Sequence, residues 1–203
     1  MKKLILKIII VFTLVSCNKD EITVSSCEDQ LPAITTTGAN TFGCCINGNL
    51  LKPRDGSGTF GGSDSGFQAW SDTSGNNEYD EIDIHDFASE RTGKILIHIQ
   101  NLHQNGVGNY IIDQSNGLRG YDSNSNTHVF CRVFDYQNSQ YQYYRSYDNS
   151  GILKITRYDF SNKILSGVFN CKLVNTGNIN DTINIKDGRF DYNAFTIFNT
   201  SFP

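Results

Sequence analysis

The chain has 203 residues, 38% of them hydrophobic and 19% charged, and a formal net charge of −4. That length suits one domain of ordinary size and is short for two. The composition excludes a coiled coil, a collagen-like chain and a multi-span membrane protein, and 13 Phe and 10 Tyr argue against wholesale disorder.

Lys2, Lys3 and Lys7 open the chain with positive charge, and Ile8 to Val15 follow as an apolar run broken only by Thr13. The run is too short to span a bilayer and reads as a signal peptide over residues 1–16. It ends Leu14-Val15-Ser16-Cys17, which resembles the bacterial lipobox. The resemblance implies diacylglycerol on the Cys17 thiol, cleavage before that residue and acylation of its new amine, palmitate being a typical chain. Two or more acyl chains anchor a protein stably where one does not. Asn18-Lys19-Asp20-Glu21 resembles the export signal that carries lipoproteins of the Bacteroidota to the outside of the outer membrane. Cleavage before Cys17 removes three lysines and leaves 14 basic against 21 acidic side chains, a net charge of −7. Such a surface repels phosphate backbones and anionic lipid, so nucleic acid is not an expected partner and the acyl chains must hold the membrane.

Residues 17–38 are polar and rich in Ser, Thr and acids, and read as a lipidated flexible tether. From residue 39 to 203 the pattern is that of a single β domain of about ten strands. Ala39–Ile46, Asn47-Gly48 and Asn49–Lys52 spell a hairpin. Gly56–Gly66 has the composition of a mobile loop. Ile82 and Ile84 alternate with Asp83 and His85, and Lys94–Gln100 places Ile95, Ile97 and Ile99 on one face. Val107–Asp113 and Thr127–Asp135 follow as strands. Tyr141–Asp148 and Ile152–Phe160 flank Asn149-Ser150-Gly151 as a second predicted hairpin. Lys163–Val174 is a long strand. Asp187-Gly188 marks a third predicted hairpin, between Thr182–Lys186 and Arg189–Tyr192. No stretch after residue 20 carries a helical stripe. Without helical crossovers a parallel sheet is excluded, so the expected fold is all-β, an antiparallel sandwich or barrel.

Thr37-Gly38-Ala39-Asn40-Thr41-Phe42-Gly43-Cys44, with Ile46-Asn47-Gly48 and Pro53, resembles the start of small outer-membrane lipoproteins of the Bacteroidota. Ile164 to Phe169 and Ile185 to Asp191 are similar to their ends. The resemblance implies location and architecture and carries no activity.

Six cysteines are present. With Cys17 lipidated, five remain, an odd number. Cys44 shares a predicted strand face with Phe42 and Ile46, Cys131 with Val129 and Val133, and Cys171 with Phe169 and Leu173, so all three face the core. Two readings stay open: a bridge from Cys44 to Cys171 or Cys131, or buried free thiols.

Motifs of chemistry are sparse. HExxH, GxSxG and P-loop patterns are absent, and the Cys/His spacing of a metal site is missing, so neither cofactor nor metal is expected. Glu81, Asp83 and His85 share one strand face and could serve a small hydrolase. Polar residues opposite Ile82 and Ile84 are also what a half-buried strand needs. Tyr136, Tyr141, Tyr143, Tyr144, Tyr147 and Tyr158 cluster around one predicted hairpin, and exposed rings stack on sugars or anchor protein interfaces. Tyr136, Tyr141, Tyr143 and Tyr147 are therefore the candidate binding residues of a non-catalytic surface module, for a glycan or a protein partner. Asp181-Thr182-Ile183 resembles the O-glycosylation acceptor of the Bacteroidota, with Thr182 as the acceptor.

Overall fold

A computed structural model describes residues 25–58, 64–73, 78–88, 93–117 and 124–203. The lipidation site Cys17, the export tetrapeptide and residues 59–63 of the Gly-rich loop lie outside the described residues.

The domain is all-β, with eleven strands in one antiparallel sheet curled into a half-barrel. Strands β1 (Thr41–Ile46) and β2 (Asn49–Leu51) form a hairpin over Asn47 and Gly48. Their φ values of 48° and 81° are those a two-residue hairpin loop requires. β3 (Phe67–Asp72), β4 (Tyr79–His85) and β5 (Lys94–Gln100) make a meander, then one helical turn, α1 (Leu102–Asn105), leads to β6 (Gly108–Ile112). β7 (His128–Asp135) and β8 (Gln140–Arg145) are a hairpin, followed by β9 (Gly151–Asp159), β10 (Ile164–Asn175) and β11 (Thr182–Asn193).

β10 is the strand on which the sheet forks. Along one edge it pairs with β11, which continues to β1 and β2. Along the other, Ile164–Cys171 pair with β9 and hence β6, whereas Val174 and Asn175 pair with β8, the start of the β8-β7-β5-β4-β3 arm. The arms enclose one core in which Ile82, Ile84, Ile95, Ile97 and Ile99 are fully buried. Each such side chain contributes about 1.5–3 kcal/mol. Phe67 of β3 meets Phe42 of β1 (6.2 Å between ring centroids) and Tyr192 of β11 (5.5 Å), tying the arms together. Beside Phe67 the Arg54 fork grips Asp86 with two hydrogen bonds, Nε to Oδ1 at 2.7 Å and Nη2 to Oδ2 at 2.6 Å, a strong bidentate geometry.

Several expectations are corrected. The second predicted hairpin is not one. β8 pairs with β7 and β10, β9 with β10 and β6, and residues 146–150 carry the chain from one arm to the other. Asp187-Gly188 is not a turn but a bulge inside the twelve-residue β11, with Asp187 at φ 53° and the register slipping opposite Phe169 and Cys171. There Gly188 pairs with Phe169 and Gly167 with Phe190. Each ring lies over the facing glycine, where a Cβ would come within 2.5 Å and 2.7 Å of it. β3 went unrecognised in the sequence.

Residues 25–38, expected as tether, are packed on the sheet. Cys27 is disulfide-bonded to Cys45. Leu31 and Pro32 lie over Gly43, which has no room for a side chain. The Asp191 carboxylate, 1% exposed, accepts hydrogen bonds from the Thr35 and Ser166 hydroxyls and from the backbone N–H groups of Thr37, Gly38 and Ala39. Burial alone would raise this carboxyl, but the donors outweigh it and hold it below the usual range. The bridges drawn from Cys44 to Cys171 or Cys131 are corrected too: those three are buried free thiols. Adjacent Cys44 and Cys45 point to opposite faces, so only Cys45 meets the segment lying over β1.

Candidate functional site

Strand alternation sends Val129, Cys131 and Val133 of β7 into the core and turns Phe130, Arg132 and Phe134 to the other face, where Phe130 is still buried and Arg132 and Phe134 are half-buried. The β7–β8 register sets Tyr143 opposite Arg132 and Tyr141 opposite Phe134. Phe130 stacks on Tyr143 at 6.1 Å, the Arg132 guanidinium lies 4.6 Å from the Tyr141 ring, and Phe134 meets Tyr141 and Tyr136 edge-on, each at 5.2 Å. Cross-strand pairs of this kind are worth about 0.2–1 kcal/mol each, which biases the ring orientations. The outcome is a ladder of rings and one guanidinium along the hairpin's outer face. Tyr136 is 68% exposed and Tyr143 38%.

Three of the four candidate tyrosines, Tyr136, Tyr141 and Tyr143, thus come together. Tyr147 does not join them; it lies past the end of β8. Tyr144 turns inward and donates its hydroxyl to Asp181 at 2.8 Å. Burial, with the Asp181 charge, pushes that phenol up to about 12. Tyr158 belongs to the other arm, on β9. Phe130, Arg132 and Phe134 were missed in the sequence, although the hairpin register and strand period would have placed them beside the tyrosines. Thr182, the glycosylation candidate, opens β11 opposite Val174.

Glu81, Asp83 and His85 do share the outer face of β4. Glu81 is fully buried. Its Oε2 accepts from Trp70 Nε1 at 2.8 Å and its Oε1 from His98 Nδ1 at 2.9 Å. Asp83 takes the Lys94 ammonium at 2.7 Å and lies 3.2 Å from His85 Nε2. Burial would raise Asp83, but His85 and Lys94 together bring it below its ordinary value. The histidine on Glu81 is therefore His98, directly across the β4–β5 register, a partner that register would have offered. His128 stacks on His98 at 4.6 Å. Its Nδ1 faces the Asn126 carbonyl at 2.8 Å, and burial lowers it to about 4. Both oxygens of Glu81 are engaged and none of its surface is open, so the network holds strands together and offers a substrate no free carboxylate there. Among the described residues no group of three or more His, Cys, Asp and Glu is arranged to hold a metal ion, and no helix is long and apolar enough to cross a membrane.

No protein-family model matches the chain, and no curated protein and no solved structure matches it either.

Proposed function

We propose that the protein is a lipid-anchored, non-catalytic binding module of the outer membrane, displayed at the cell surface, that captures an extracellular glycan through the β7–β8 ladder. The observation that carries this reading is the row of neighbouring rings around Tyr136, Tyr141 and Tyr143, with Arg132 among them and with Tyr136 and Tyr143 exposed to solvent. Rings biased by their neighbours lose less freedom when a sugar face stacks on them. The acidic mature surface disfavours nucleic acid. The lipobox at Cys17 supports the anchor, and the tetrapeptide behind it supports surface display.

Three experiments test the reading. Labelling cells with an alkyne analogue of palmitate should mark the wild type and not Cys17→Ala, and protease treatment of intact cells should remove the protein. On a glycan array the wild type should bind, and Tyr136→Ala and Tyr143→Ala should each weaken that signal about tenfold. A silent array, with a protein partner captured through the same hairpin, would replace the glycan by that partner. A hydrolase built on Glu81, Asp83 and His85 is the second reading, and the engagement of Glu81 by Trp70 and His98 weighs against it.

A further inference from the structure

A second recessed site lies away from the hairpin ladder. Between β3–β4 on one side and the β9–β10 connection with the end of β11 on the other is an open cleft of about 240 Å3. That is below the roughly 300–1,000 Å3 of sites for drug-sized molecules and suits a single ring. Its walls are apolar for the most part, Leu165 and Tyr192 among them, and Phe160 and Phe195 stand at its rim, 46% and 65% exposed.

The anomaly in this cleft is Asp80. Alternation along β4 puts Asp80 on the face of Ile82 and Ile84, where the register calls for an apolar residue. Among the described residues no donor hydrogen-bonds its carboxyl and no cation pairs with it. Burial, reinforced by the Glu78 charge, raises it to about 7, so near neutral pH it can either donate or accept. Lys163, held at φ 55° in the β9–β10 turn, also lines the cleft and places its ammonium 3.6 Å from the centre of the Phe160 ring. A cationic ligand would meet Lys163, and an anionic one would meet Asp80 and Asp159. A purely apolar ligand would bury the carboxyl without a partner, which is costly. The ligand that fits all three constraints is neutral, ring-sized, hydroxylated on its edge and apolar on one face.

We propose that this cleft binds one neutral pyranose ring, with Asp80 and Lys163 hydrogen-bonded to its hydroxyls and Phe160 or Phe195 against its apolar face. The site is separate from the β7–β8 ladder and does not depend on it.

The detergent-solubilised full protein is titrated with the methyl glycosides of glucose, galactose and mannose by isothermal titration calorimetry. At least one should saturate with a dissociation constant on the order of 1 mM, as expected for so small a ligand. Asp80→Leu and, independently, Phe160→Ala should weaken binding about tenfold or more, whereas Ile179→Ala, at an exposed residue outside both sites, should leave it unchanged. If Asp80→Leu does not fold, Phe160→Ala and Lys163→Gln carry the test. No saturation with any of the three well beyond that range would overturn the proposal. So would equal or tighter binding of glucosamine or glucuronate, or full binding by every folded cleft variant. Loss of binding in Tyr143→Ala alone would move the sugar to the ladder and leave the cleft without a ligand.

Discussion

The half-buried Asp80 and the buried His128 set opposite pH trends in the stability of this fold, and removing one should unmask the other. Asp80 holds its proton up to about pH 7 in the folded protein against 3.8 in a free carboxyl. Between those values the unfolded chain has lost the proton and the folded one retains it, so stability falls as pH rises through the window. At 1.36 kcal/mol per pKa unit the whole effect is at most about 4 kcal/mol, reduced by whatever water the open cleft admits. His128 acts in reverse. Burial lowers it to about 4 from 6.5, so between pH 4 and 6.5 the unfolded chain takes up a proton that the folded one refuses. Stability therefore rises with pH there, by about 3 kcal/mol in all. In the wild type the two slopes cancel between pH 4 and 6.5, and a decline remains up to about pH 7. Asp80→Asn deletes only the falling component. Its stability should climb up to about pH 6.5, level off, and at pH 8 exceed the wild type by a few kcal/mol, because the wild type must then bury a charge. Asp83 and Asp191, both lowered, add their pH dependence below pH 3.8 and stay out of this range. Urea unfolding followed by Trp70 fluorescence at pH 4.5, 5.5, 6.5 and 8 measures the difference. Parallel pH profiles for wild type and variant would refute the reasoning, because Asp80 would then titrate alike in both states.

Other perturbations probe the frame. Asp191→Ala strands five donors under the segment 35–39 and Ser166; it should cost about 3–5 kcal/mol in urea unfolding and expose residues 25–38 to limited proteolysis. Replacing Cys27 and Cys45 together by serine opens a loop of 18 residues and should lower stability by about 3 kcal/mol in the chain-entropy account. The unreduced, denatured wild type should titrate three thiols, those of Cys44, Cys131 and Cys171, with an acylated Cys17 contributing none. Gly188→Ala drives a methyl to within 2.5 Å of the Phe169 ring and should cost about 1–3 kcal/mol. Tyr136→Ala, on an exposed ring, should change thermal stability by no more than about 0.5 kcal/mol.

Local pattern sufficed wherever the information was local. The alternation of Ile82 to His85 and of Lys94 to Gln100, and the Asn47-Gly48 turn, carry the strand positions, the β4–β5 pairing and the first hairpin. What failed was non-local. Asp187-Gly188 has turn chemistry, yet pairing with β10 on one side and β1 on the other keeps the strand running and makes the dipeptide a bulge. Asn149-Ser150-Gly151 has turn chemistry too, yet β8 and β9 both run antiparallel to β10 along one edge, so the chain passes on without reversing. Phe67–Asp72 is short, and its outward Trp70 breaks the apolar-polar alternation. Cys27 lies in a polar segment with no strand pattern, so nothing local marks it as the partner of Cys45. At the ladder the tyrosines were legible as a cluster, but which of them share a face depends on the β7–β8 register.

With Cys17 as the proposed anchor, the pinned segment would also limit which way the molecule faces. Cys27 is fastened beside the Ile46 end of β1, and a run of ten residues of sequence leads to it from Cys17, the proposed site of the acyl chains. Fully stretched at about 3.5 Å per residue, that run reaches on the order of 30 Å, a leash that would restrict tumbling above the lipid if Cys17 is the anchor. The Ile46 end, with Asn47 and the tip of the β7–β8 hairpin beside it, would sit towards the membrane. The opposite end, where β11 finishes and the Asp80 cleft opens, would look out into the medium. Reducing one disulfide would roughly double the length of that leash and release the orientation.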